Sequence, residues 1–142
     1  MTDRKDFRDI MSLTINDMMK LKEVGFKFEE FEHRCNPGRV FYYNQCEYTI
    51  GGTWDPTPCS EEDELVAKEG IWLPNEGDLM LWLDWYEDYD ISINFVNETR
   101  YYYAEAKRNQ EVIFKGSGPT LLCCLFKLVY KICRFNSKTC DT

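Results

Sequence analysis

The spacing of apolar residues predicts two long helices, one near each end of the chain. Residues 9–24 carry apolar side chains three and four positions apart, and Gly25 follows them. Residues 120–135 form the second predicted helix, which is apolar on nearly every side except for a narrow stripe that contains Lys127 and Lys131. A helix of this kind is typical of a buried element, so we expect the C-terminal helix to be packed most deeply.

Alternation of apolar and polar residues predicts the strands, which are rich in β-branched and aromatic types. Shorter helices are expected at residues 60–67 and 76–89. We therefore predict an α+β fold, in which a mostly antiparallel sheet of five to seven strands has helices packed against it in a single domain over residues 1–142. The predicted strands cover residues 26–34, 39–50 (one long strand or two short ones), 90–96, 100–107 and 111–115.

The two halves of the chain, residues 9–70 and 71–135, repeat one order of predicted elements. The stretch "RVFYY" at 39–43 corresponds to "TRYYY" at 99–103, and a Pro-Thr pair precedes a helix in each half. This order is compatible with a degenerate internal duplication. Antiparallel meanders give similar echoes, so both interpretations stay open.

Composition is that of a folded chain. Its 142 residues are 44% apolar and 15% aromatic, which excludes a disordered polyelectrolyte. The longest apolar run, residues 121–132, contains two lysines and falls short of the roughly 18 apolar residues of a membrane span. Because the first six residues carry charges of both signs, no secretory signal is predicted and the expected location is the cytoplasm. The seven cysteines are an odd number, and we expect them to be reduced and mostly buried.

Charge is distributed unevenly along the chain. The net charge is −8, yet the segment from Asp55 to Thr99 holds thirteen acidic residues and one basic residue, Lys68, whereas residues 100–142 sum to +5. An acidic segment repels phosphate backbones, so we expect no direct binding of nucleic acid. A basic protein is the partner that such a segment favours.

The stretch from Gly116 to Thr120 has two interpretations. A glycine turn at a helix N-terminus offers backbone N–H groups to an anion, and the candidate ligand-binding residues are then Arg100, Lys115, Ser117, Gly118 and Thr120. The other interpretation is a tight structural corner with Ser117 as the helix cap. Pro119 lacks an N–H group and no Walker-type Lys-Ser/Thr pair follows, so the corner is favoured.

The sequence contains no motif that is typical of a metal site or of a catalytic site. His33, Cys35, Cys46 and Cys59 are residue types that bind zinc, but their spacing lacks a Cys-x-x-Cys knuckle. His33 is the single histidine and has no Gly-rich oxyanion turn beside its nearest cysteine. We therefore predict no metal, no cofactor and no enzymatic activity.

The segment from Glu76 to Asp90 combines six acidic residues with four Trp and Tyr residues and has no basic residue. Large aromatic side chains with a charged rim are typical of protein interfaces. The alternative is a helix whose rings are core and whose acids are solvated. The residues that we predict to bind a partner are Trp82, Asp84, Trp85, Glu87, Asp88 and Tyr89.

Residues 72–132 resemble a known group of proteins. They contain a Trp-x-Pro start, an amphipathic helix, strands with aromatic endings, and Gly-x-Gly-Pro-Thr before an apolar helix. In this pattern the chain resembles small phage and prophage proteins of the phage ABA-sandwich domain group, in which helix, sheet and helix form layers. The resemblance implies a phage-encoded accessory protein without enzymatic activity.

These observations together predict a non-enzymatic phage or prophage accessory protein. We expect it to bind a basic host protein in the host cytoplasm through the acidic and aromatic residues of 82–89, as an inhibitor or a defence-evasion factor. The alternative is a protein that binds a small nucleotide-like anion at Ser117–Thr120. Whether the chain forms a homo-oligomer stays open.

Overall fold

The computed structural model describes residues 12–51 and 60–140. Two compact units make up the chain: a smaller unit, Lys27–Pro74, and a larger unit of Met1–Phe26 with Asn75–Thr142. The predicted α+β class is confirmed, with six strands in the described residues. These strands form two three-stranded antiparallel sheets instead of the one sheet that we predicted. The single domain over 1–142 and the pseudo-repeat halves 9–70 and 71–135 stay predictions.

The smaller unit contains a three-stranded sheet whose order is β2-β1-β3. A two-residue turn joins its first two strands, and Asn44 and Gln45 in that turn both have positive φ angles, of 52° and 64°. Such a turn matches the twist of an antiparallel hairpin, so residues 39–50 form two short strands. The elements of this unit are α2 (Glu29–Glu32), β1 (Val40–Tyr43), β2 (Cys46–Thr49), α3 (Glu61–Glu69) and β3 (Ile71–Leu73); α1 belongs to the larger unit.

The predicted strand over residues 26–34 is wrong, because this segment contains the one-turn helix α2. The rings of Phe28 and Phe31 lie 4.4 Å apart, which is the contact expected of positions three apart on a helix. Glu32 Oε1 accepts a hydrogen bond from the Phe28 backbone N–H at 3.1 Å. Phe26 and Phe28 are both buried, so their two-residue spacing imitated strand alternation.

A buried carboxylate links β2 to α3. Asp63 Oδ1 accepts a hydrogen bond from the Tyr48 hydroxyl at 2.7 Å, and Asp63 also forms a capping box with Ser60 at the start of α3. The Tyr48 hydrogen bond lowers the pKa of Asp63 below its usual value and raises the pKa of Tyr48 to about 12. The acidic first turn of α3 therefore contributes one residue, Asp63, to the interior of the unit.

The larger unit is built on a sheet whose strands pair in the order β4-β5-β6. The turn between β5 and β6 consists of Asn109 and Gln110, both with positive φ. The elements of this unit are α1 (Ile15–Glu23), α4 (Glu76–Leu81), β4 (Asp90–Val96), β5 (Tyr101–Arg108), β6 (Glu111–Gly118) and α5 (Leu121–Cys140).

Helix α5 packs on β6 and β5 at very close range. A Cβ atom on Gly116 would lie 2.7 Å from the Cys124 backbone oxygen, and one on Gly118 would lie 2.8 Å from Cys123 Sγ. Both glycines are strand residues that let the helix approach, so the predicted corner is wrong in its geometry: β6 continues through Gly118. The side chains of α5 that are buried are Leu122, Cys124, Leu125, Leu128, Val129, Ile132 and Cys133.

In residues 12–51 and 60–140 no helix is both long enough and apolar enough to span a bilayer.

Candidate functional site

The segment from Glu76 to Asp90 begins as a regular α-helix, whose turns then widen to a π-helix. Asn75 caps α4 and forms a capping box with Asp78. The chain continues as a π-helical turn over Trp82–Tyr86, in which the Glu87 N–H donates to the Trp82 carbonyl at 3.1 Å. Asp88 then has a φ of 58°, which ends the helix. Wide turns of this type are frequent at functional sites.

Two aromatic residues that we predicted at the partner surface are instead core residues. Trp82 is 3% exposed, and its ring lies 5.3 Å from that of Phe26. Tyr89 is 5% exposed and meets Phe114 edge-on at 6.1 Å. The helix ends before Tyr89, and this side chain is buried against the sheet, so Trp82 and Tyr89 do not contribute to a surface.

Glu87 is also set apart from the other acids of the segment. Its Oε1 accepts a hydrogen bond from Asn136 Nδ2 at 2.8 Å, and its backbone carbonyl accepts one from the Arg108 guanidinium at 2.8 Å. Burial raises the pKa of the Glu87 carboxyl, while Asn136 and Arg108 oppose that rise. Glu87 therefore joins the segment to α5 and β5.

Three of the predicted residues are exposed together. Trp85 is 64% exposed, and both Asp84 and Asp88 are exposed. Trp85 thus has an exposed acidic residue on each side of it in sequence, Asp84 on the π-helical turn and Asp88 just after it. We call Asp84, Trp85 and Asp88 the acidic-aromatic surface.

An apolar strip adjoins this surface and was missed in the sequence. Ile93 and Phe95 of β4 pair with Ala104 and Tyr102 of β5, and Ala104 pairs with Gly116 beneath α5. Ile93 and Phe95 therefore belong to the sheet face that α5 packs on, yet they are exposed. We call Ile91, Ile93 and Phe95 the β4 apolar face.

A hollow of about 270 Å³ joins the two features. It is lined by α4 residues, by Asp84 and by Ile91, and Leu81 at its rim is exposed. The alternation over 90–96 predicted a strand with one buried side. The alternation does not predict that a single helix leaves the third strand of the sheet uncovered. A hint of this is present in the sequence, since only one long helix follows the three strands.

A polar groove of about 600 Å³ is lined by residues of all three strands of this sheet and by Lys131 of α5. Glu105 and Lys115 lie opposite each other in register, as do Tyr103 and Ser117. Lys131 also lines the groove, and its Nζ donates to the Lys115 carbonyl at 2.7 Å. Charged and hydroxyl groups thus converge on a concave surface of the size that small ligands occupy.

The residues of the alternative anion site are only partly brought together. Lys115 and Ser117 line the groove, whereas Gly118 packs against Cys123 and Arg100 is in the turn after β4. Thr120, and not Ser117, caps α5, because its Oγ1 accepts from the Cys123 N–H at 3.0 Å. One N–H of the helix N-terminus is therefore already bonded.

The residues of zinc-binding type, for which no metal site was predicted, do not cluster in the described part of the chain. His33 Nδ1 lies 3.0 Å from the Ala67 carbonyl oxygen, and Cys46 is exposed on β2. Cys59 lies outside the described residues. Across the described ranges there is no group of three or more His, Cys, Asp or Glu side chains placed to hold a metal ion.

Comparison of the chain with protein-family models, with curated proteins and with solved structures finds no match.

Proposed function

We propose that this chain is a non-enzymatic accessory protein of a phage or prophage, and that it binds a basic host protein through the acidic-aromatic surface. The observation that carries the proposal is the exposed indole of Trp85, which is flanked in sequence by the exposed acidic residues Asp84 and Asp88. Tryptophan is among the residues most enriched at binding hot spots. A large ring held in water on a short turn gains free energy when a partner covers it.

Charge supplies the second part of the argument. The segment from Asp55 to Thr99 holds thirteen acidic residues and one basic residue, so its field attracts a basic protein and accelerates encounter. Binding of this kind weakens as salt rises, because ions screen exposed charges. In the host cytoplasm such a protein would act as an inhibitor or a defence-evasion factor.

The proposal is tested by capture from a bacterial lysate with the intact protein as bait. Trp85→Ala should weaken capture by about 2 kcal/mol, the scale of a hot-spot residue. The double change Asp84→Lys with Asp88→Lys should abolish salt-sensitive capture and leave the protein folded, because both carboxylates are exposed; Lys at the positive φ of Asp88 should lower the melting temperature only slightly. Glu87 is left intact because it is half-buried and bonded to Asn136.

Matched control variants make the result specific. Met19→Ala removes an exposed apolar side chain elsewhere, and Glu23→Lys with Glu47→Lys makes the same charge change at exposed positions outside the acidic segment. Capture should survive both. If the controls lose the partner as the surface variants do, the interaction depends on overall charge and the proposal fails.

A second candidate function rests on the polar groove. Lys115, Lys131 and Ser117 line it, and they could hold a small nucleotide-like anion. A ligand should then raise the melting temperature in a screen of metabolites, and Lys115→Ala should remove the rise. Under the first proposal Lys115→Ala has no effect on capture.

A further inference from the structure

The two edges of the β4-β5-β6 sheet are built differently. The β6 edge contains a bulge, since Ala106 pairs with Phe114 and Lys107 with Val112, so that Ile113 is the extra residue. Two side chains of α5 also bind its backbone: Lys131 Nζ donates to the Lys115 carbonyl and Cys124 Sγ to the Gly116 carbonyl. Bulges and edge lysines are the means by which proteins prevent strands from adding to a sheet.

The β4 edge lacks these features. All seven residues of β4 pair with β5 in one unbroken register, and the sequence of β4 contains no Pro, Lys or Arg. Within the described part of the chain, β5 is the strand that β4 pairs with. A regular edge of this length, without Pro, Lys or Arg and with apolar side chains on one face, is a template for another strand.

Side chains on β4 add an apolar contact surface to that template. Phe95 is 44% exposed, and its ring lies 4.8 Å from that of Tyr102. Ile93 is exposed on the same face. An added strand would place alternate side chains beside them, since cross-strand neighbours on one face lie in contact.

Charge decides which strand fits. Asp84, Asp88 and Asp90 are exposed at the end where β4 begins, and the whole chain carries a net charge of −8. A second copy would bring like charge, whereas a basic segment would bring the opposite charge.

From these contacts we propose that β4 binds an extended basic segment of the partner protein as an additional strand, either antiparallel or parallel. Alternate apolar residues of this segment lie on the β4 apolar face. Its Lys or Arg residues lie beside Asp84, Asp88 and Asp90. This inference rests on the proposed function and specifies how the partner is held. Backbone hydrogen bonds supply affinity in this mode, and alternate side chains supply selectivity.

The test uses the intact protein and a synthetic peptide of about nine residues, long enough to pair with all of β4, in which Lys alternates with Val. Two control peptides are needed. One carries N-methyl groups on alternate residues, which keeps the charge and side chains but removes the donors on one edge. The other has Glu in place of Lys.

The Lys–Val peptide should bind and slow the amide hydrogen exchange of β4. N-methylation should weaken binding by about tenfold or more, because several hydrogen bonds are lost together. The Glu–Val peptide should not bind. Ile93→Thr should weaken binding, while Ile113→Thr, the matched exposed isoleucine on the bulged edge, should not.

Any other outcome of the peptide experiment contradicts a specific part of the proposal. Equal binding of the N-methylated peptide, with unchanged β4 exchange, would refute strand addition and leave the proposed function standing if binding still required Asp84 and Asp88. A Lys–Val peptide that fails to bind, beside a host protein captured through Trp85, would refute this inference alone. Concentration-dependent self-association abolished by Ile93→Thr would show that a second copy occupies the edge.

Discussion

The carboxylates of Glu87, Asp84 and Asp88 are close in sequence but differ in their surroundings. Asp84 and Asp88 are exposed, whereas Glu87 is half-buried and accepts a hydrogen bond from Asn136. Burial raises the pKa of Glu87 above its ordinary value of 4.5. Over the interval between the unfolded and folded pKa values, the folded protein binds more protons than the unfolded chain. The contribution of Glu87 to stability is therefore present below pH 4.5 and is lost as pH rises through the folded pKa.

Glu87→Gln should raise the melting temperature at about pH 7, because glutamine stays neutral and avoids the cost of a partly buried charge. The gain should shrink at about pH 4, where Glu87 itself becomes protonated. Thermal unfolding at both pH values measures the difference.

Glu98→Gln is the matched control, since Glu98 is exposed in the turn after β4. This variant should show a much smaller gain at neutral pH. A lower melting temperature for Glu87→Gln at about pH 7 would instead show that the hydrogen bond from Asn136 to the charged carboxylate outweighs the burial.

At the scale of elements, the contact between α5 and β6 depends on two glycines. The backbone of α5 approaches so closely that a Cβ on Gly116 would lie 2.7 Å from the Cys124 oxygen and 2.9 Å from the Leu128 nitrogen. Both neighbours are helix backbone atoms, so relief requires the whole helix to move. The glycines thus set the spacing between helix and sheet.

Gly116→Ala should lower the free energy of unfolding by about 1–3 kcal/mol, the usual cost of overpacking. Gly77→Ala is the control, because a Cβ there meets only Asn75 Oδ1 at 3.4 Å and alanine favours helix. It should be neutral or stabilising by about 0.4–1 kcal/mol. Urea unfolding monitored by circular dichroism measures both, and equal stability of the two variants would contradict the close approach.

The elements that sequence predicts well are those whose periodicity is long and local. Strands β4 and β5 and helix α5 follow directly from alternation and from the apolar run. Strand β3, of three residues, is too short to show a period. Gly116 and Gly118 are turn-type residues, so local rules predict a turn at the end of β6. Their role in the structure is to admit a helix, which is a tertiary contact that no local rule contains.

At the scale of the molecule, the sequence predicts which residue types form the candidate site but not how these residues are arranged in space. The density of acids and rings located Asp84, Trp85 and Asp88 correctly as exposed residues. A regular helix was assumed to continue to Tyr89, whereas the π-helical turn and the positive φ of Asp88 redirect the chain. Trp82 is buried and contacts Phe26, which is distant in sequence, and no local pattern predicts this contact.

Cysteines lie in both compact units. Cys46 is exposed on β2 of the smaller unit, while Cys124 and Cys133 are buried on α5 of the larger one. Of the five cysteines in the described residues two are buried, so the expectation of mostly buried thiols is wrong for this part of the chain. Burial raises the pKa of Cys124 to about 11 and that of Cys133 to about 12.

Alkylation of the native protein should therefore separate these thiols. The thiolate is the reactive form, so at neutral pH Cys46 should react at the rate of an exposed thiol while Cys124 and Cys133 stay unmodified. In increasing urea the two α5 cysteines should become reactive together, at the concentration where helical circular dichroism is lost, because both are part of one core. Mass-spectrometric peptide mapping assigns each site. Labelling of Cys133 in native buffer as fast as that of Cys46 would show that the C-terminal part of α5 opens locally, and labelling of Cys124 alone before unfolding would contradict the tight packing of α5 against Gly116.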